Sequence, residues 1–204
     1  MTLTHMLAFF LAPFASCAHK PAKSERSRYL LPHEWSKIKA VLDHHPLKVR
    51  IYFYILLLEG SRMSEARYLQ WSHLDLHEGF WYKPITKTKR AQTIALSQQA
   101  CLLLGALPRQ GSYVFHGERP DLPWSQTAVE YHWRKIRREA GCPDVQIRDL
   151  RRTCASWMAM RGESTLVIQQ ILNHQSLAVT QVYARLNQES VRAALTRHAE
   201  RVFG

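Results

Sequence analysis

An almost continuous apolar run constrains this chain more than any other segment. Between Leu47 and Glu59 the sequence reads LKVRIYFYILLLE, in which residues 51–58 are all aliphatic or aromatic. A helix that is apolar on most sides is stable in water only when other elements cover it. We therefore expect a helix over 47–59 at the centre of the core, ended by Gly60, because glycine readily takes the left-handed conformation that follows many helices.

The remaining pattern predicts a mainly helical domain with one small antiparallel β-hairpin. Phe80–Tyr82 and Ala91–Leu96 are predicted to be strands because their residues favour extended backbone. Elsewhere, apolar residues recur every three or four positions, which is typical of helices that bury one face. We expect one helix to begin at Pro32, others to follow the cap residues Ser64, Ser97 and Ser125, two short ones to follow Gly162, and a last one to span about 188–202.

The chain is long enough for one domain with a substantial core, since it has 204 residues. Its 28 basic and 16 acidic side chains leave a formal net charge of +12. This excess favours a polyanionic partner, with nucleic acid ahead of a membrane surface. A basic protein with lysines scattered over its surface is the alternative that charge alone leaves open.

The sequence contains no motif for a resident cofactor or metal ion. It has neither a glycine-rich phosphate loop nor a paired-histidine metal motif. None of the four cysteines forms a Cys-x-x-Cys pair, which argues against a zinc site or a redox motif. Such scattered cysteines are typical of reduced thiols in the cytoplasm, so we predict no cofactor and a cytoplasmic location.

Residues 1–28 are predicted to be a tail and linker, and residues 29–204 the folded domain. The apolar stretch Met6–Ala15 resembles a short signal peptide, but no Lys or Arg precedes it and Pro13 interrupts it. It is also too short to cross a bilayer as a helix. We interpret it as a partner-docking tail or the remnant of a larger N-terminal region.

Chemically capable side chains gather in the segment 147–186. Arg148 and Arg151 lie three residues apart, so on a helix they share one face. His174 and Tyr183 follow, separated from them by predicted helices. Arginine offers a planar fork of donors suited to phosphate, and a tyrosine oxygen can form a covalent intermediate. These residues could converge on one anion.

This pattern resembles the catalytic domain of the tyrosine recombinases, the phage-integrase family. That family has a His-x-x-Arg box, then Leu-Gly-His, then a nucleophilic tyrosine, which correspond here to Arg148–Arg151, Leu172–His174 and Tyr183. The segment Gly60–Ala66 resembles the family's earlier Gly-x-Arg-x-x-Glu box. Two departures stand out, because arginine replaces histidine at 148 and Asn173 replaces glycine.

The resemblance implies the fold of a tyrosine recombinase catalytic domain and a role for each matching residue. Tyr183 would attack a DNA phosphorus and become joined to the 3′-phosphate, freeing a 5′-hydroxyl, with no need for metal or ATP. Lys87, in the predicted hairpin, would protonate the leaving oxygen, with Lys89 as the fallback. The remaining roles are phosphate binding by Arg62, Arg151 and His174, and support of the site by Glu65.

Arginine at position 148 removes the family's expected proton acceptor, because arginine stays protonated in proteins. Arg148 could instead add a third donor fork to the phosphate or pair with Glu65. We expect it to stabilise charge while water, the phosphate or His174 accepts the tyrosine proton.

Further basic residues are candidates for binding the DNA backbone or groove. The helix predicted after Ser125 has a cationic face, for which a merely solvated surface is the alternative. The last helix has an apolar stripe that is most often core, although the resemblance implies docking on a neighbouring copy in a four-subunit synapse. No separate clamp domain of the family's kind fits before Leu31. The DNA-binding candidates are Lys89, Arg90, Arg134, Lys135, Arg137 and Arg138.

Three other functions stay open on the sequence alone. A decayed integrase would keep the fold and bind DNA without cleaving it, and the departures at 148 and 173 favour this. A type IB topoisomerase would relax supercoils with a similar tyrosine site. A non-enzymatic regulator would use the cationic helix for groove recognition.

Overall fold

The computed structural model describes residues 28–84, 91–174, 180–186 and 188–203. Within these ranges the chain forms helices around a three-stranded sheet, with two short 3-10 helices at Trp71–His73 and Gln181–Leu186. The α-helices are α1 (Pro32–Leu42), α2 (Leu47–Leu58), α3 (Met63–Arg67), α4 (Gln98–Gly105), α5 (Gln126–Glu139), α6 (Ile147–Met160), α7 (Thr165–Leu172) and α8 (Gln188–Phe203). The strands are β1 (Leu74–Asp75), β2 (Phe80–Lys83) and β3 (Gln92–Ala95).

Helix α2 occupies the centre of the core, as its apolar sequence predicts. The ring of Tyr52 is fully buried and meets Phe53, Phe115 and Trp124 edge-on, with centroids 5.0–5.4 Å apart. Its hydroxyl donates to the carbonyl of Met63 at 2.9 Å, so this buried polar group is satisfied. Helices α3, α4 and α6 pack around α2. This central helix therefore sets the positions of the elements that surround it.

Three predicted helix starts are confirmed, at Pro32 and after Ser97 and Ser125, and one is wrong. Ser97 and Ser125 are N-cap residues whose hydroxyls accept from the third following backbone N–H. Helix α3, however, begins at Met63 with Arg62 as its N-cap, so Ser64 lies inside the helix. Glu65 reaches back and accepts the backbone N–H of Arg62 at 3.1 Å, and the carbonyl of Arg62 accepts the first helical bond from Ala66, so the helix begins before Ser64.

The sheet is antiparallel with strand order β1-β2-β3, and the predicted hairpin strands are confirmed. Trp81 of β2 pairs with Ile94 of β3, and both face the core. Phe80 and Tyr82 alternate to the exposed face, as a period of two requires. The same alternation turns Lys83 inward, where it is buried. The connection between β2 and β3, with Lys87, Lys89 and Arg90, lies outside the described residues.

The turn after α7 depends on an asparagine in the left-handed conformation. Asn173 has φ 51° and ψ 53°, and among the described residues no other non-glycine residue has a positive φ. Asparagine tolerates this conformation better than most residues, so it can replace the glycine that the family pattern has here. Its side-chain oxygen accepts from Nε2 of Gln92 at 2.6 Å. The substitution therefore ties strand β3 to the turn that precedes His174.

Helix α8 leaves its apolar stripe uncovered. Val191, Leu195 and Val202 are 56%, 64% and 59% exposed, although α8 contacts α6 and the 3-10 helix 181–186. The interpretation of this stripe as core is therefore wrong, because no described element packs over those side chains. Docking on a neighbouring copy stays a prediction.

No helix within the described ranges combines the length and the apolarity that a membrane span requires.

Replacing Gly60 with alanine should destabilise the fold by about 1–3 kcal/mol, because the left-handed conformation strains any residue with a Cβ. Gly60 has φ 54°, and an added Cβ would lie 2.7 Å from Leu172 and 3.2 Å from Cys154. Chemical denaturation measures the difference. Gly105→Ala is the control, since its Cβ would meet Leu76 at an ordinary 3.9 Å. Equal stability of the Gly60→Ala variant and the unaltered chain would contradict this account.

Replacing Asn173 with alanine should cost about 1–2 kcal/mol, because the backbone stays strained and the hydrogen bond to Gln92 is lost. Asn173→Gly loses the same bond but relieves the strain, so its stability should lie within about 1 kcal/mol of the unaltered chain. Thermal unfolding of the two variants tests the comparison. A glycine variant less stable than the alanine variant would show that backbone strain is not the main effect.

Candidate active site

The guanidinium of Arg151 is held in a fixed orientation by two backbone carbonyls. Its Nη1 donates to the carbonyl of Gly60 at 2.6 Å, and its Nη2 donates to the carbonyl of Leu172. These carbonyls belong to the ends of α2 and α7, while Arg151 itself comes from α6. Two of the five N–H donors of the side chain are used in this way. The others are available to bind an anion.

Arg151 and Arg62 lie close enough to repel each other. Burial and, to a smaller extent, the positive charge of Arg62 together lower the pKa of Arg151 to about 10. Arg151 is therefore still charged at neutral pH, in a place where its charge is unfavourable. A bound anion would relieve both the lost solvation and the repulsion.

Arg62 is oriented by the carboxylate of Glu65. Nη1 of Arg62 donates to Oε1 at 2.7 Å, and the side chain of Arg62 stays 41% exposed. Oε2 accepts from Nζ of Lys83 at 2.8 Å. Burial by itself raises the pKa of Glu65, but the charges and hydrogen bonds of Lys83 and Arg62 outweigh it and lower the pKa to about 2. Glu65 is therefore ionised and pairs with both Arg62 and Lys83.

Lys83, which donates to the carboxylate of Glu65, is a neighbour of these residues that the sequence analysis missed. The available signal was its register, because a strand that turns Trp81 inward also turns Lys83 inward. The predicted strand ended at Tyr82, one residue before Lys83, so the burial of Lys83 was not expected.

His174 is neutral at physiological pH. Burial and, to a smaller extent, the charges of Arg151 and Arg62 together lower its pKa to about 4. Its Nδ1 lies 2.9 Å from the hydroxyl oxygen of Thr180, which is fully buried. One ring nitrogen is thus engaged by Thr180, and Nε2 can donate or accept a hydrogen bond depending on the tautomer.

Tyr183 lies on the 3-10 helix 181–186 and is partly buried. Its ring packs against a small apolar cluster that includes Ala155, Ile168 and Leu172. A negative charge on its oxygen raises the pKa of Arg151, so the phenol lies within electrostatic range of that guanidinium. The structure therefore brings together Tyr183, Arg151, Arg62 and His174, which lie far apart in the sequence.

Arg148 is more exposed than the residues of this cluster. It is exposed on α6, whereas Arg151 one turn later is partly buried. No hydrogen bond or ion pair joins it to another described residue. The suggested pairing with Glu65 is not observed, because Arg62 and Lys83 bind both carboxylate oxygens. Arg148 is thus available to an incoming ligand.

The cationic face of α5 is divided between surface and structural roles. Arg134, Lys135 and Arg138 are exposed. Arg137 instead donates to the carbonyl of Val145 at 3.0 Å and is partly buried. The sequence analysis named all four as DNA-binding candidates, because helical spacing does not reveal that the loop after α5 folds back against Arg137.

Across the described ranges, no group of three or more His, Cys, Asp or Glu side chains is placed to bind a metal ion. Cys101, Cys142 and Cys154 are free thiols, and burial raises the pKa of each. A thiol with a raised pKa is a poor nucleophile at neutral pH.

Known proteins with similar sequences include an integrase and a tyrosine recombinase. The chain is 29% identical over 195 residues to the integrase of Salmonella phage P22, covering 88% of this chain and 48% of the integrase. It is 26% identical over 175 residues to tyrosine recombinase XerA of Pyrococcus furiosus, covering 82% and 60%. The chain thus spans about half of the length of these relatives.

Solved structures show the same fold. The crystal structure of XerA recombinase matches with a TM-score of 0.69 and 24% identity over 84% of this chain and 65% of that chain. The catalytic domain of bacteriophage HP1 integrase matches with a TM-score of 0.62 and 21% identity over 82% and 93%. The model of the phage integrase family matches residues 28–190. With its arginines, histidine and tyrosine gathered in one place, the chain belongs to the phage integrase family.

Proposed function

We propose that this chain is the catalytic part of a site-specific DNA recombinase, which cleaves and rejoins double-stranded DNA through a 3′-phosphotyrosyl intermediate. The observation that supports this most directly is the position of Arg151, which is fixed by two carbonyls beside Arg62, His174 and Tyr183. A site with two neighbouring cations, a neutral imidazole and a phenol is suited to a phosphodiester.

The arginines would stabilise the charge that grows on the phosphate during attack. Their orientation before substrate binds is what makes such donors effective, because little reorganisation is then needed in the transition state. Arg62 is oriented by Glu65, and Arg151 by the carbonyls of Gly60 and Leu172. Arg148 would add a third guanidinium from the exposed side of α6.

In the cleavage step, the oxygen of Tyr183 bonds to phosphorus while the bond from phosphorus to the 5′ oxygen breaks. The phenol loses its proton, and the 5′ oxygen gains one. Lys87 is the proposed acid, and neutral His174 or water the proposed acceptor, because Arg148 cannot accept a proton. The phosphotyrosine conserves the bond energy for rejoining, so no nucleotide is required. The guanidinium groups supply the charge that a metal ion would otherwise contribute.

DNA is the proposed partner because of the net charge of +12 and the exposed Arg134, Lys135 and Arg138. Structures of similar fold include the Tn1549 transposon integrase in complex with transposon right end DNA, with a TM-score of 0.68 and 18% identity. Self-association on DNA would use the uncovered stripe of α8, where Val191 and Leu195 are exposed. Lys89 and Arg90 are further proposed DNA contacts.

A nicked suicide duplex, in which cleavage releases a short fragment, should trap a covalent adduct of protein and DNA. Tyr183→Phe should reduce the adduct below detection, because the variant has no oxygen to attack phosphorus. Tyr131→Phe is the control, since Tyr131 is 59% exposed on α5. The adduct should also form in EDTA without nucleotide. Binding without adduct in the unaltered chain would instead indicate a decayed integrase or a regulator, and supercoil relaxation without strand exchange would indicate a topoisomerase.

Arg148→His should leave the cleavage rate unchanged or raise it up to about 100-fold, because histidine can accept the proton of the phenol. The rate of the variant should rise with pH through the pKa of the new imidazole, about 6.5 in the absence of perturbation. Single-turnover cleavage at several pH values measures both effects. Arg148→Ala is the control, since it removes the guanidinium and adds no base. Complete loss of cleavage by Arg148→His would contradict the proposal.

A further inference from the structure

Lys83 is a buried cation that the proposed reaction does not yet use. Its side chain is 5% exposed. Its Nζ lies 2.8 Å from Oε2 of Glu65 and 4.0 Å from the centroid of the Trp81 ring. Lysine is almost never fully buried unless it is paired. Both of its partners are in place before any substrate binds.

The position of Lys83 is electrostatically costly. Burial lowers its pKa, and the charges of Arg151 and Arg62 lower it further, while Glu65 opposes both effects. An aliphatic side chain would complete the inward face of β2 without this cost, since buried ion pairs often stabilise no more than apolar groups of similar volume. Packing alone therefore does not explain why a lysine occupies this position.

The carboxylate of Glu65 links Lys83 to Arg62. Oε1 accepts from the guanidinium of Arg62, whereas Oε2 accepts from the Arg62 backbone N–H and from Lys83. Removing Lys83 would leave Oε2 with one weaker partner and let the carboxylate rotate. Because the guanidinium follows the carboxylate, Arg62 would lose its orientation toward the site.

We propose that Lys83 is a positioning residue for DNA cleavage, which fixes Glu65 and through it the guanidinium of Arg62. The inference rests on the proposed function. Lys83 does not touch the phosphate, because its ammonium lies between Glu65 and the face of Trp81. It is also the last residue of β2, so the same ion pair anchors that end of the strand to helix α3.

The test compares single-turnover cleavage of a suicide duplex with equilibrium binding of the same duplex. Lys83→Met should slow cleavage by about 10- to 100-fold, the scale expected when a catalytic group is misplaced by around an ångström. DNA affinity should change little, because Lys83 makes no contact with the ligand. Lys83→Arg, which keeps the charge, should recover part of the rate. Lys39→Met is the matched control, since Lys39 forms an exposed pair with Asp43 on α1.

A double variant separates positioning from general damage to the fold. If Lys83 acts through Glu65, then Glu65→Gln combined with Lys83→Met should cleave no more slowly than Glu65→Gln alone. The double variant also replaces a broken ion pair with two neutral side chains, so it keeps the test usable if Lys83→Met alone does not fold. If the loss of cleavage rate in the double variant equals the product of the losses in the two single variants, the proposal is overturned.

A measurement without DNA checks the ion pair itself. Arg62 and Lys83 are the charged groups that lower the pKa of Glu65, and Glu59 also interacts with Lys83. In Lys83→Met the pKa of Glu65, measured by carboxyl NMR, should rise from about 2 toward the ordinary value near 4.3. An unchanged pKa would overturn the inference.

The cleavage results distinguish the two proposals. No adduct in the unaltered chain overturns the proposed function, and this inference with it. If the unaltered chain forms the adduct and Lys83→Met cleaves at the same rate, only the inference about Lys83 is overturned.

Discussion

The site depends on two hydrogen bonds, which the guanidinium of Arg151 donates to backbone carbonyls. These carbonyls, from Gly60 and Leu172, lie at the ends of α2 and α7. Because α2 is also the centre of the core, the packing that stabilises the domain sets the geometry of the site. The left-handed conformation of Gly60 brings the chain close to Leu172 and Cys154 and allows this arrangement.

Around Arg151 the fold gathers more positive charge than it neutralises. Glu65 is the carboxylate that pairs with Arg62 and Lys83, while Arg151 is held by carbonyl oxygens. The same surroundings lower the pKa of His174 to about 4 and so keep its imidazole uncharged. A free site of this kind is electrostatically strained, and an anionic ligand relieves the strain. The same few residues thus lower the stability of the free site and favour the binding of an anion.

The two departures from the family pattern have different physical consequences. Asn173 keeps the left-handed backbone of the glycine it replaces and adds a bond to Gln92, so the turn before His174 is preserved. Arg148 leaves helix α6 intact but changes the acid–base chemistry of the site, because an exposed guanidinium takes the place of a group that could accept a proton. The first substitution concerns the fold, and the second concerns the mechanism.

The sequence by itself determined the elements and the family. The apolar run predicted the core helix, residues that favour extended backbone predicted the hairpin, and the resemblance of the segments around Arg62, Arg151 and Tyr183 to the family's boxes implied the site. The first two signals are local, since they depend on the residues within one segment of the chain. Only the tertiary structure decided that α8 leaves its apolar stripe uncovered, that Arg137 is structural, and that Lys83 is buried beside Glu65. Burial and pairing depend on which distant segments meet, and periodicity along one segment carries no information about its partners.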